Sequence, residues 1–291
     1  MVSGEGAADG GGREFERVSD LLRERMAAGV YPLETLLPPQ RFLAHELGVS
    51  RDTVQRVLTA LRNEGWIETR QGSGSRVIKA QRIHSSGTRT VRPAQAVTLR
   101  SFINEAFEAP EVTLDVYTLT SESLDAHIRM QAERIRDREI SPKRIALRML
   151  LPSDELRLPY PSTKGAPDDL RLQDRLHGIT ERHSASLRSA LRDLRVDGLV
   201  PFVDVEIRHV PLAPTFKLYL LNGTEALHGP YEVIERTIEL DDGEEVLALD
   251  VLGLGATLTH YEKTDDPEFT GSVFVSSMQS WFDSIWGALA E

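Results

Sequence analysis

The segment from Pro38 to Arg62 constrains this chain more than any other stretch. It holds two short helical patterns separated by Gly48-Val49-Ser50. Phe42, Leu43 and Leu47 recur at helical spacing in the first pattern, and Val54, Val57, Leu58 and Leu61 in the second. Each set is expected to face a core. Gly48 can take the positive φ that ends one helix, and Ser50 is a good N-cap for the next. The pair predicts a helix-turn-helix, whose second helix is shaped to enter a DNA major groove.

The flanks extend this unit. Upstream, a helix from about Phe15 to Ala28 places Phe15, Val18, Leu21, Leu22 and Met26 on one side, with Gly29 as its stop. Downstream, Glu64-Gly65 ends the second helix of the pair. Trp66–Arg70 and Ser75–Ile78 then read as two strands joined by a glycine-bearing tip, Gln71-Gly72-Ser73-Gly74. A helix-turn-helix followed by such a hairpin is a winged helix.

Phe15 to Val77 resembles the DNA-binding domain of the GntR family of bacterial transcription regulators. The matching pieces are Gly29-Val30-Tyr31-Pro32, Leu47 to Val54, and Leu61 to Ile67 leading to Arg70-Gln71-Gly72-Ser73-Gly74. One departure is visible. The family usually has Gly-x-x-Leu-Pro-Ser-Glu before the helix-turn-helix, whereas Glu34-Thr35-Leu36-Leu37-Pro38-Pro39-Gln40 lacks the glycine and the acid. Pro39 is tolerated at a helix start, so the expected cost is in local turn geometry.

The net charge of -11 looks wrong for a DNA binder until it is divided along the chain. Arg41 to Arg82 holds eight Lys and Arg against four Asp and Glu, a surplus of +4, and residues 83–100 add arginines and no acid. From residue 101 onward nineteen basic residues face thirty-four acidic ones, a balance of -15. Phosphates would meet the basic N-terminal window, while the acidic remainder limits non-specific binding. Met1 to Gly12 is glycine-rich and acidic, and reads as a disordered tail rather than a signal peptide. No apolar run approaches the roughly 18 residues that span a bilayer, so no membrane role is expected. The absence of cysteine excludes disulfides and thiolate chemistry and fits a cytoplasmic protein.

The remainder predicts a second domain. Residues 13–80 form the winged helix in this reading, 81–98 a basic linker, and 99–291 an effector-sensing and/or dimerisation domain. Within the last, helical spacing appears near 102–107, 124–138, 168–196 and in a C-terminal segment carrying Val275, Met278, Trp281, Phe282, Ile285, Trp286 and Leu289. Strand patterns fall near 112–119, 145–151, 203–210, 216–221, 224–227, 233–240 and 246–254, with Asp241-Asp242-Gly243 as a hairpin turn. The overall class is therefore α/β: an N-terminal winged helix-turn-helix, then an α/β sheet domain with helices on its faces.

With Val54, Val57, Leu58 and Leu61 buried, the outer face of the second helix carries Arg51, Asp52, Gln55, Arg56, Thr59 and Arg62. Arginine can pair with guanine and glutamine with adenine, so Arg51 and Gln55 are the candidates for base reading. Ser50 and Arg56 join the DNA-facing set, and the resemblance points the same way for Arg41, Arg51, Thr53 and the wing glycine Gly72. Arg70 and Gln71 stand where a wing meets backbone or minor groove. One recognition helix reads too few base pairs to select a genomic site, so a homodimer on a pseudo-palindromic double-stranded operator is expected. The resemblance implies that a small-molecule effector bound by the C-terminal domain controls operator affinity.

Thr215 to Gly223 is similar to the His-x-Lys-x-x-x-x-Asp motif of the phospholipase D superfamily, over a region of about Leu99 to Glu291. Lys217 is kept, but Thr215 and Asn222 replace the histidine and the aspartate. Without the nucleophile histidine the resemblance implies a catalytically degenerate domain, with Lys217 left as a ligand-binding candidate. A chorismate-lyase-like domain is the fallback. The histidines show no metal spacing and Gly253-x-Gly255 lacks a phosphate-binding pattern, so no metal and no cofactor is expected. The alternatives are a non-sensing dimerisation or protein-docking module, and a DNA-targeted hydrolase.

Overall fold

A computed structural model describes residues 14–15, 17–19, 21–23, 25–26, 30–63, 66–70, 74–78, 83–85, 99–240, 242–251 and 257–291. The expected tail, most of the expected linker, Gln71 to Ser73 of the wing tip and Gly253-x-Gly255 lie outside these residues. The chain divides into two units, Met1–Gln81 and Arg82–Glu291.

The first unit is built on helical residues between 14 and 26, then α1 (Gln40–Leu47), α2 (Arg51–Asn63), β1 (Ile67–Arg70) and β2 (Gly74–Val77). Val18, Leu22, Met26, Leu43, Val54, Val57, Leu61, Ile67 and Val77 are essentially solvent-free and form its core. β1 and β2 pair antiparallel, with Ile67 opposite Val77 and Arg70 opposite Gly74, and Leu36 bridges to Arg76 outside them. Trp66 links helix to sheet: its N–H donates to Leu61 O at 2.8 Å and its carbonyl accepts from Ile78 N–H at 3.0 Å. Phe42 corrects the sequence reading. It is 58% exposed, because α1 is only eight residues long and gives its buried side to Leu43, Ala44 and Leu47.

The second unit contains β3 (Ile83–Ser85), α3 (Leu99–Ala106), β4 (Glu111–Tyr117), α4 (Glu122–Arg136), β5 (Arg144–Pro152), β6 (Ser162–Thr163) and α5 (Arg171–Val196). It continues with β7 (Phe202–Val210), β8 (Phe216–Leu221), β9 (Glu225–Pro230), β10 (Val233–Glu239), β11 (Glu245–Val251), β12 (Leu258–Glu262) and α6 (Thr270–Ala288). Seven strands form a mixed sheet in the order β3-β12-β9-β8-β4-β5-β7, and β10-β11-β6 form a smaller one. β4, β5 and β7 run parallel, with crossovers through α4 and α5, whereas β8, β9 and β12 run antiparallel to their inner neighbours. Ile83–Ser85, in the stretch expected to be a linker, instead pair parallel with Leu258–His260.

Strand alternation explains the layering. Val112, Leu114, Val116, Ile145, Leu147 and Met149 turn to one face and bury against α3, α4 and α5 with Phe102, Ile128, Leu187 and Leu191. Tyr117, Leu150, Leu218 and Leu220 turn to the other and meet Val275, Phe282 and Trp286 of α6. The aromatic stripe of the last helix is therefore core. Truncating a solvent-free residue such as Leu114 to alanine would cost about 2–5 kcal/mol. The α/β architecture agrees with expectation; β3, β6 and β12 are additions to it.

Candidate nucleic-acid interface

The turn between α1 and α2 is fixed by local chemistry. Gly48 has φ 67° and ψ 34°, and its N–H donates to Ala44 O, closing α1 in the left-handed conformation that favours glycine. Two residues on, Ser50 Oγ accepts the Thr53 N–H at 3.0 Å and so caps α2. The Thr53 hydroxyl lies 2.9 Å from Ser50 Oγ and Thr53 is only 5% exposed. Both candidates are thus engaged in holding the start of α2.

The helices are also braced from behind. Arg17 donates to Leu47 O at 2.9 Å, and Arg25 donates to Glu46 at 2.7 Å and to the Tyr31 hydroxyl at 3.0 Å. The Arg25 guanidinium stays firmly protonated: burial opposes its charge, but the bonds to Tyr31 and Glu46 outweigh that and raise its pKa.

Arg41, Arg51, Gln55 and Arg56 are all exposed. Arg51 opens α2 and shares a side with Gln55, one helical turn further on. Arg56 lies 3.8 Å from Asp52 and 5.6 Å from the Phe15 ring centroid, which draws it toward the N-terminal helical residues. Arg70 is the last residue of β1, opposite Gly74, while Gln71 and Gly72 fall outside the described residues.

Sequence reasoning missed Gln40. Its Nε2 donates to Gln55 Oε1 at 2.7 Å, so the first residue of α1 orients a base-reading candidate on α2. Gln55 then presents its amide N–H groups and a single remaining lone pair. The signal was the departure itself, since Gln40 stands where the family usually has an acid.

The Lys217 candidate is 2% exposed, with Nζ 5.4 Å from the Tyr231 ring centroid. The Tyr231 hydroxyl accepts from Leu119 N–H at 2.9 Å and contacts Thr118 Oγ1 at 3.0 Å, which closes the surroundings of Lys217 at the end of β4. Asn222 has φ 51° and, with Gly223 at φ 66°, makes the β8–β9 turn. Its Oδ1 accepts from Thr113 N–H at 2.9 Å and its Nδ2 donates to Ala106 O at 3.0 Å. Both positions of the phospholipase D-like stretch are engaged in the fold. Among the described residues no group of three or more His, Asp or Glu is placed to hold a metal ion, and no helix is long and apolar enough to cross a membrane.

Residues 15–77 match the family model described as "Bacterial regulatory proteins, gntR family". The "Exu regulon transcriptional regulator" of Escherichia coli (strain K12) is 39% identical over 72 residues, 25% of this chain and 28% of that protein. The "Glc operon transcriptional activator" of the same organism is 37% identical over 71 residues, 24% of this chain and 28% of that protein. The chain thus spans little more than a quarter of the length of these relatives. A solved structure, "Streptococcus agalactiae GntR", aligns over 64% of this chain and 84% of its own at 17% identity, with a TM-score of 0.21.

Proposed function

We propose that this chain, a DNA-binding transcription regulator of the GntR family by its residues 15–77, binds a pseudo-palindromic operator as a homodimer. The observation that supports this best is the exposed pair Arg51 and Gln55 on the leading half of a capped α2, with Gln40 of α1 bonded to Gln55. Arg51 reads a guanine edge through its planar fork, and Gln55, held by Gln40, reads the neighbouring base. Arg41, Arg56, Arg70 and the wing residues Gln71 and Gly72 position the protein on phosphates. Ser50 and Thr53 keep the end of the helix in register with the groove.

The unit from Arg82 onward senses a small-molecule effector and supplies the dimer contact, so that ligand binding and operator binding are linked. The protein is not an enzyme in this reading. The phospholipase D-like stretch lacks a nucleophile, and Asn222 spends its amide on a turn.

The test is fluorescence anisotropy on DNA flanking the protein's own gene, at stated salt and with unrelated competitor. Wild type is expected to bind in a competitor-resistant manner. Arg51→Ala should weaken that binding by about 1–3 kcal/mol and relax selectivity at one base position. Binding that competitor removes equally from both proteins would overturn the assignment.

A further inference from the structure

We propose that α5 and the outer edge of β7 form a binding site for a small polyanion, a diphosphate or a di- or tricarboxylate. It deepens the effector reading and rests on it for its regulatory role.

Arg188, Arg192 and Arg195 recur at i, i+4 and i+7, so they line one side of α5. With Val203, Asp204 and Val205 of β7 they enclose a depression of about 230 Å³. A second depression of about 190 Å³ adjoins it and shares Arg195, Val203 and Asp204, with Arg144 added from β5. β7 is the last strand of the sheet and pairs only with β5. Glu291 takes its far end at His209 with bonds of 2.9 and 3.0 Å, and Arg188 reaches Ile207 O at 3.4 Å.

The charges set this place apart. Elsewhere in the unit Arg134, Arg148, Arg171 and Arg208 each hold a carboxylate at 2.8 Å or closer. Arg144, Arg188, Arg192 and Arg195 make no ion pair among the described residues, although Asp204 lies in the same depression and residues 101–291 carry a balance of -15. Like charges one turn apart on a helix repel, so this spacing costs stability unless an outside anion neutralises it. Guanidinium forks match phosphate and carboxylate oxygens two at a time. Two adjoining depressions bridged by Arg195 suit a ligand with two anionic groups. A cavity of this size excludes a long backbone, and the surrounding acid repels nucleic acid. Lys217, by contrast, is enclosed by packed side chains, whereas these arginines are open to solvent.

The full chain is titrated calorimetrically with inorganic pyrophosphate and with citrate, at an ionic strength held constant with chloride. The comparison is with R192Q/R195Q, checked for unchanged circular dichroism, and with R182Q, an exposed arginine on α5 outside the cluster. Saturable one-site binding of either probe, weakened roughly ten-fold or more in the double variant and unchanged in R182Q, is expected. Absence of saturable binding, or equal binding in the double variant, overturns the site; the arginines would then only guard a free sheet edge. Anisotropy with operator DNA and saturating probe separates the two readings. Anion binding that leaves DNA affinity unmoved supports the site and overturns its effector role. Anion binding by a protein that selects no DNA supports the site and overturns the regulator.

Discussion

At the residue scale, two positions show what the fold tolerates for reasons outside local preference. Glu34 adopts φ 66°, in the left-handed region, at the position where the GntR pattern has glycine. A side chain there costs roughly 1 kcal/mol, and the Glu34–Arg76 contact at 3.3 Å, between two exposed groups, returns at most a fraction of that. Glu34→Gly is therefore expected to raise the denaturation midpoint of the first unit by the equivalent of up to about 1 kcal/mol. An unchanged midpoint would mean that the ion pair offsets the strain. His127 of α4 is 5% exposed and its Nδ1 has no hydrogen-bond partner. Burial, and secondarily the charge of Arg100, pushes its pKa down to about 4. Between that value and the unfolded value of about 6.5, the unfolded chain binds a proton that the folded chain refuses. The stabilisation is complete above pH 6.5 and fades as pH falls through that window, by about 3 kcal/mol in all. His127→Leu should flatten the stability–pH curve there, and parallel curves for the two proteins would refute the burial argument.

At the element scale, the β8–β9 hairpin shows how a sequence pattern divides between chemistry and geometry. Asn222-Gly223 is a turn with positive φ at both residues, the kind that joins twisted strands. The asparagine also ties that turn to β4 and α3 through Thr113 and Ala106. Asn222→Ala should cost about 2–4 kcal/mol in urea unfolding, since it adds backbone strain to two lost bonds. Asn222→Gly, which relieves the backbone strain, should cost less. In sequence the same stretch matches a motif position, because spacing along a chain cannot say whether an amide faces a ligand or a neighbouring backbone. Elements with strong periodicity were legible: β4, β5, β7, β8 and the helices α4, α5 and α6 lie close to their expected places. β12 was not, since Leu258–Glu262 is short and carries a buried histidine, and it becomes a strand through its pairing with β9 on one side and β3 on the other. Phe42 was misplaced because helical spacing gives a side, whereas burial depends on what packs against it. Gln40 could be read only as a departure, because its partner Gln55 lies on another helix.

At the scale of the whole molecule, the boundary between units is the point where sequence and structure part most clearly. Polar, basic composition with glycine and proline reads residues 81–98 as a linker, yet Ile83–Ser85 complete one edge of the large sheet against β12. That pairing is parallel and joins segments far apart in the chain, so no local pattern announces it. Ile83 packs against the same core cluster as Leu258. A fragment of residues 82–291 should therefore fold by itself with the full sheet. A fragment of residues 99–291 should lose about 1–3 kcal/mol and expose the edge of β12. Thermal melts of both fragments, with sedimentation velocity to detect edge-to-edge association, decide the matter. Equal stability and equal monodispersity would return residues 83–85 to the linker. The expected difference would instead make residues 83–85 an edge strand of the second unit's sheet, with the parallel pairing to β12 as the source of the added stability.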